Sequence, residues 1–132
     1  MEWNQVIADP FLQNLPYKIE LNQWGKIVLS PVSNKQGLLQ AELAGFLRNA
    51  KKNGKVITEC SVNTHKGVKV ADIVWESDDF FRRNALDTPY QEAPELCIEI
   101  LSPSNSRQEL KKKSTYICPK ALKKCGFVMK TD

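Results

Sequence analysis

The sequence predicts an α/β fold in which a mixed central β-sheet is flanked by helices. Two observations carry that expectation. Hydrophobic periodicity runs in the order hairpin, helix, three strands with a loop before the third, helix and short strand. The most strongly β-branched stretch, Lys66-Gly67-Val68-Lys69-Val70-Ala71-Asp72-Ile73-Val74-Trp75, also lies at mid-chain, where a central strand would be. At 132 residues, with 42% hydrophobic and 26% charged, the chain reads as one domain over 1–132 with an ordinary soluble composition. The N-terminus has no basic region followed by an apolar run, and no stretch is long and apolar enough to span a bilayer. The expectation is a cytoplasmic protein without membrane attachment.

Residues 1–16 hold two prolines among scattered apolar residues and read as a lead-in with one helical turn. Tyr17 to Asn22 alternates as a strand, Asn22-Gln23-Trp24-Gly25 turns it, and Lys26 to Ser30 returns as the second arm of a hairpin. Ser30-Pro31-Val32-Ser33-Asn34 breaks that pattern. From Lys35 to Ala50 apolar residues recur at helical spacing, namely Leu39, Leu43, Phe46, Leu47 and Ala50, and Lys51-Lys52-Asn53-Gly54 ends the helix. Lys55 to Val62 is the next strand, paired with the strand of Asp72 across the turn at 63–67. Ser77-Asp78-Asp79 caps a short helix. Prolines 89 and 94 precede the strand Glu95-Leu96-Cys97-Ile98-Glu99-Ile100-Leu101. Ser106-Arg107-Gln108-Glu109 has the capping-box pattern of a helix running to about Cys118, and Phe127-Val128-Met129 reads as a last strand.

Cysteines 60, 97, 118 and 125 form no Cys-x-x-Cys pair, so they read as reduced thiols, with Cys60 and Cys97 in the core. His65, the one histidine, falls in a turn and reads as solvated. Between Arg107 and Lys130 eight basic residues face one acid, while the rest of the chain is slightly acidic. That segment is compatible with docking a polyanion such as nucleic acid, although on charge alone a solvated helix face is the favoured reading.

Asp72 and Glu99 are the chemical anomalies, because strand interiors are depleted in acids and a buried carboxylate needs a cationic partner. Two acids on neighbouring buried strands suit Mg²⁺ or Mn²⁺, which take hard oxygen ligands, keep several waters and can activate one against a phosphodiester. A structural role, with each acid satisfied by backbone amides or by a lysine such as Lys69, carries less weight. The two charges would repel unless a cation sat between them. Glu42 falls at the edge of the helical apolar stripe, where it either reaches the site or flanks the helix in solvent. Glu59 on its strand reads as a solvent-facing acid.

Pro16-Tyr17-Lys18-Ile19-Glu20-Leu21, Ser30-Pro31 through Gly37, Thr58-Glu59-Cys60-Ser61-Val62, Gly67-Val68-Lys69-Val70-Ala71-Asp72 and Glu99-Ile100-Leu101-Ser102-Pro103-Ser104 together resemble the Uma2 family. Its members are restriction-endonuclease-like proteins of the PD-(D/E)XK nuclease superfamily. The resemblance implies a restriction-endonuclease-like domain hydrolysing DNA with Mg²⁺ or Mn²⁺. It also implies that Asp72 and Glu99 are metal ligands, the carbonyl of Ile100 a third and Glu42 an auxiliary one. The superfamily lysine would fall at Leu101, where it is absent, and Lys112, four residues before Tyr116, is assigned its role. Family members continue for several dozen residues further, so the C-terminal part of the fold is expected to be missing, leaving an open sheet edge for a homodimer to cover. The alternative is a catalytically inactive nuclease-fold protein that binds nucleic acid through its basic segment or protein through that edge.

Overall fold

The computed structural model describes residues 1–101 and 129–130. The expected helix at 106–118, with Lys112 and most of the basic segment, lies outside the described residues. Elements follow the order α1 (Trp3–Ala8), β1 (Tyr17–Leu21), β2 (Ile27–Pro31), α2 (Asn34–Ala50), β3 (Gly54–Thr64), β4 (Gly67–Ser77), α3 (Asp78–Asn84), β5 (Leu96–Ile98), β6 (Ile100–Leu101) and β7 (Met129–Lys130).

The β1–β2 hairpin turns on the Asn22 side chain. Its Oδ1 accepts the N–H groups of Trp24 and Lys26 at 3.0 and 2.9 Å, and Gly25 supplies the positive φ of 71° that closes the turn. Helix α2 starts where Ser33 Oγ accepts the Gln36 N–H at 3.1 Å. Its packed stripe is Leu39, Leu43 and Leu47, which with Ala44 covers Ile73, Ile98 and Ile100. Phe46 was expected on that stripe but stands 68% exposed, because the i, i+4 row of leucines already fills the contact with β4 and β5.

β3 and β4 form a long antiparallel hairpin, and β5 pairs antiparallel with the other edge of β4, giving the order β3-β4-β5. β4 is thus central, with every residue from Val70 to Glu76 buried. Its side chains do not simply alternate. Ala71 and Val74 share one cluster with Cys60, Val62, Phe80, Tyr90 and Cys97, whereas Ile73 packs toward α2 on the other side. Residues three apart on a regular strand face opposite ways, so the phase slips between them, at Asp72. Directly across the ladder stands Glu59, whose φ of 54° is left-handed. A non-glycine residue in that conformation is a local strain, set here beside the central acid.

The third predicted strand divides at Glu99. β5 pairs with β4 only from Leu96 to Ile98, and β6 leaves to pair in parallel with β7 as a separate two-stranded sheet, so antiparallel and parallel pairs both occur among the described residues. Cys60 and Cys97 are buried free thiols. Burial, with the Glu76 charge second, pushes Cys60 up to about 12, and burial likewise raises Cys97. Both therefore stay protonated and serve as packing.

At the far end of β4 the fully buried Glu76 and the Tyr90 hydroxyl lie 3.2 Å apart, and the hydroxyl donates to Ala85 O at 2.8 Å. The same hydroxyl also donates toward Glu76 Oε1, so its proton is shared between the two acceptors. Burial first, and the Glu95 charge later, raise the Glu76 carboxyl above its ordinary range against the opposing Tyr90 bond. A folded-state pKa above the unfolded one gives stability that is present below the unfolded value and fades as pH rises through the folded one. Glu76→Gln removes this titration. Urea midpoints of parent and variant should therefore diverge in the variant's favour as pH climbs from the ordinary carboxylate range, and parallel curves would refute the assignment.

Candidate functional site

The separation of β5 from β4 builds the site. Extending their register by one residue would set Asp72 against Glu99, yet pairing stops there and the Ile100 N–H donates instead to Asp72 Oδ2 at 2.7 Å. One oxygen of Asp72 thus takes over a ladder bond and turns the chain away. The space so opened is filled by the first hairpin, whose β1 packs on the lower half of β4. Lys18 and Glu20 are two apart on β1 and face the same way. Glu20 Oε2 accepts the Val70 N–H at 2.6 Å, satisfying a β4 donor that has no β5 partner.

Lys18 sets its ammonium between the two anomalous acids, 2.8 Å from Asp72 Oδ1 and 3.5 Å from Glu99 Oε2. Its side chain is 8% exposed, against 2% and 4% for the acids. Burial by itself would depress the ammonium. The charges of Glu99, Asp72 and Glu20, with the Asp72 hydrogen bond, outweigh burial and raise it instead. A raised lysine gives stability that is fully present below the ordinary lysine range and is lost only in strong alkali, so this pairing is constant through neutral pH.

The structure therefore brings together Asp72, Glu99 and the backbone of Ile100, all of them named from sequence, and adds Lys18 and Glu20, which sequence reasoning passed over. The cation required between two buried acids is present, and it comes from β1. Ile100 is seen to contribute its N–H. Glu42 stands exposed on α2, and Lys112 lies outside the described residues.

The two carboxylates supply hard oxygen donors, the kind a small divalent ion takes. Oxygens from Asp72 on β4 and from Glu99 at the break between β5 and β6 converge on one cationic point, and both are hard carboxylate donors. Among the described residues no group of three or more acidic, histidine or cysteine side chains is placed to hold a metal. Mg²⁺ and Mn²⁺ take one or two carboxylates and keep several waters, whereas zinc takes a closed ligand set.

A family model described as "Putative restriction endonuclease", Uma2, matches residues 7–123. The chain belongs to the Uma2 family. Among solved structures, the Uma2 chain is similar to a crystal structure described as "a putative nuclease belonging to DUF820 from Anabaena variabilis ATCC 29413". That neighbour has a TM-score of 0.56 and 21% sequence identity, with 72% of this chain and 56% of the other covered. The Uma2 chain thus spans just over half the neighbour's length, and the likeness is one of fold. Among curated proteins none matches. No helix of the described residues is long and apolar enough to cross a membrane.

Proposed function

We propose that this Uma2 chain is an endonuclease that hydrolyses DNA phosphodiester bonds with Mg²⁺ or Mn²⁺ held by Asp72 and Glu99. The observation that supports it most is the convergence of both carboxylates on one buried cation position. Bound there, the ion would polarise the phosphoryl oxygen and acidify a water. The chain's own residues do the rest. Asp72 is aimed by the Ile100 N–H, which fixes one carboxylate oxygen and leaves the other turned to the cation. Glu99 comes from the point where β5 ends and β6 begins, so its reach depends on that break. In this reading the Ile100 carbonyl is a further protein ligand, Glu42 stays outside the ligand set on the exposed face of α2, and Lys112 stabilises charge developing on the phosphate. The basic segment holds the DNA backbone.

The test is cleavage of plasmid DNA in Mn²⁺ and in Mg²⁺ by the parent, Asp72→Asn and Glu99→Gln. Loss of groups that merely support a metal ligand costs about 10–100-fold, so loss of either ligand should cost about a hundredfold or more. Full activity of Asp72→Asn at equal metal would remove Asp72 from the mechanism.

One observation favours a second reading, in which the domain binds nucleic acid without cutting it. Lys18 already gives both acids a cationic partner from within the chain. DNA binding that falls steeply with salt, with no cleavage in either metal, would decide for that reading.

A further inference from the structure

We infer that Lys18 is a displaceable counter-cation, which holds the two carboxylates in the metal-free protein and must withdraw before a divalent ion binds. The inference rests on the reading of Asp72 and Glu99 as metal ligands. Its first support is geometric. The ammonium touches Asp72 Oδ1 and Glu99 Oε2 at once, so it sits where an ion bound by those oxygens would sit. Such an ion lies about 2.1 Å from each oxygen, and two positive centres cannot share one buried point.

The second support is that Lys18 has somewhere to go. It belongs to β1, outside the β3-β4-β5 sheet, and a flexible four-carbon stem lets its head move while the strand stays in place. Lys18 itself lines a cavity of about 370 Å³, together with Trp3, Val6, Leu12, Glu59 and Ser61. The stem can stay against the apolar residues of that lining while the ammonium turns toward its polar ones. Glu20 keeps β1 seated throughout, because its bond to the Val70 N–H does not involve Lys18. Asp72 and Glu99 would then exchange an internal cation for an external one, and an uncompensated pair of buried acids would never have to form.

Mn²⁺ alone is the probe, with bound ion read from the loss of the free-ion electron paramagnetic resonance signal and stability read from thermal unfolding. Lys18→Met removes the competing cation, so it should bind Mn²⁺ about tenfold tighter than the parent and show a larger rise in Tm at the same concentration. Lys18→Arg keeps the charge in a fork better matched to carboxylates and should bind Mn²⁺ at least about threefold more weakly. Should Lys18→Met fold only when Mn²⁺ is added, that rescue supports the exchange. Should it stay unfolded in both conditions, Lys18→Arg decides, and equal or tighter binding by it overturns the inference. Equal or weaker Mn²⁺ binding by a folded Lys18→Met, with the parent still binding, overturns displacement and leaves the metal site standing. No Mn²⁺ binding by parent or variant removes both.

Discussion

Gly67→Ala will destabilise this protein by roughly 2–5 kcal/mol, enough to lower Tm by on the order of 10 °C. Two costs add. Gly67 has a φ of 100°, which costs an L-residue roughly 1–2 kcal/mol. A Cβ there would also run into the backbone carbonyl of Leu21 and that of Asn22, rigid groups that cannot turn aside, for about 1–3 kcal/mol of overpacking. Against a typical total of about 5–15 kcal/mol that is a large fraction. The contact matters beyond stability, because it lets the end of β1 close onto the start of β4 and so brings Lys18 and Glu20 to Asp72. Thermal unfolding by circular dichroism checks the expectation. A Tm within 2–3 °C of the parent, about the effect of 1 kcal/mol or less, would mean that the hairpin is not held by this close approach.

The strands and α2 were legible because their signals are local. β4 announces itself by β-branched residues and α2 by leucines at helical spacing. Asp72 and Glu99 were legible as violations, since nothing in the local pattern of a buried strand explains a carboxylate. Lys18 was not, because a charged residue on a short alternating strand reads as solvent-facing. It becomes buried only through a contact with β4 across 54 residues of sequence. The one available signal was indirect. Two buried acids need a cation, and Lys18 and Glu20 alternate beside Ile19 and Leu21 in a strand short enough to be covered on both faces.

The break at Glu99 was hidden for a related reason. Leu96 to Leu101 reads as one continuous strand, and only the capture of the Ile100 N–H by Asp72 divides it. Local propensity sets what each segment can be, but the choice between a ladder bond and a side-chain bond belongs to the assembled sheet. The slip of side-chain phase at Asp72 opposite the left-handed Glu59 is of the same kind. No residue on either strand is a glycine at that point, and sequence alone offers no reason to expect the distortion there.

The second large effect expected is Asp72→Ala, at about 3–5 kcal/mol, the range for removing one partner of a buried ion pair. The substitution strips Lys18 of its 2.8 Å acceptor and leaves the Ile100 N–H without the oxygen it now donates to. Asp72→Asn keeps one oxygen for Ile100 and should cost less, about 1–3 kcal/mol. The ordering of these two variants separates the hydrogen bond from the charge. Lys18→Met in the Asp72→Ala background tests the charge alone, because a lysine that has lost its main counter-ion is itself a burden. If the pair is coupled as the geometry requires, the double variant will be less destabilised than the sum of the single ones by about 1 kcal/mol or more in urea unfolding. Strict additivity would mean that Lys18 and Asp72 are neighbours without energetic dependence, and would undercut both the ion pair as the site's organising contact and its exchange for a metal.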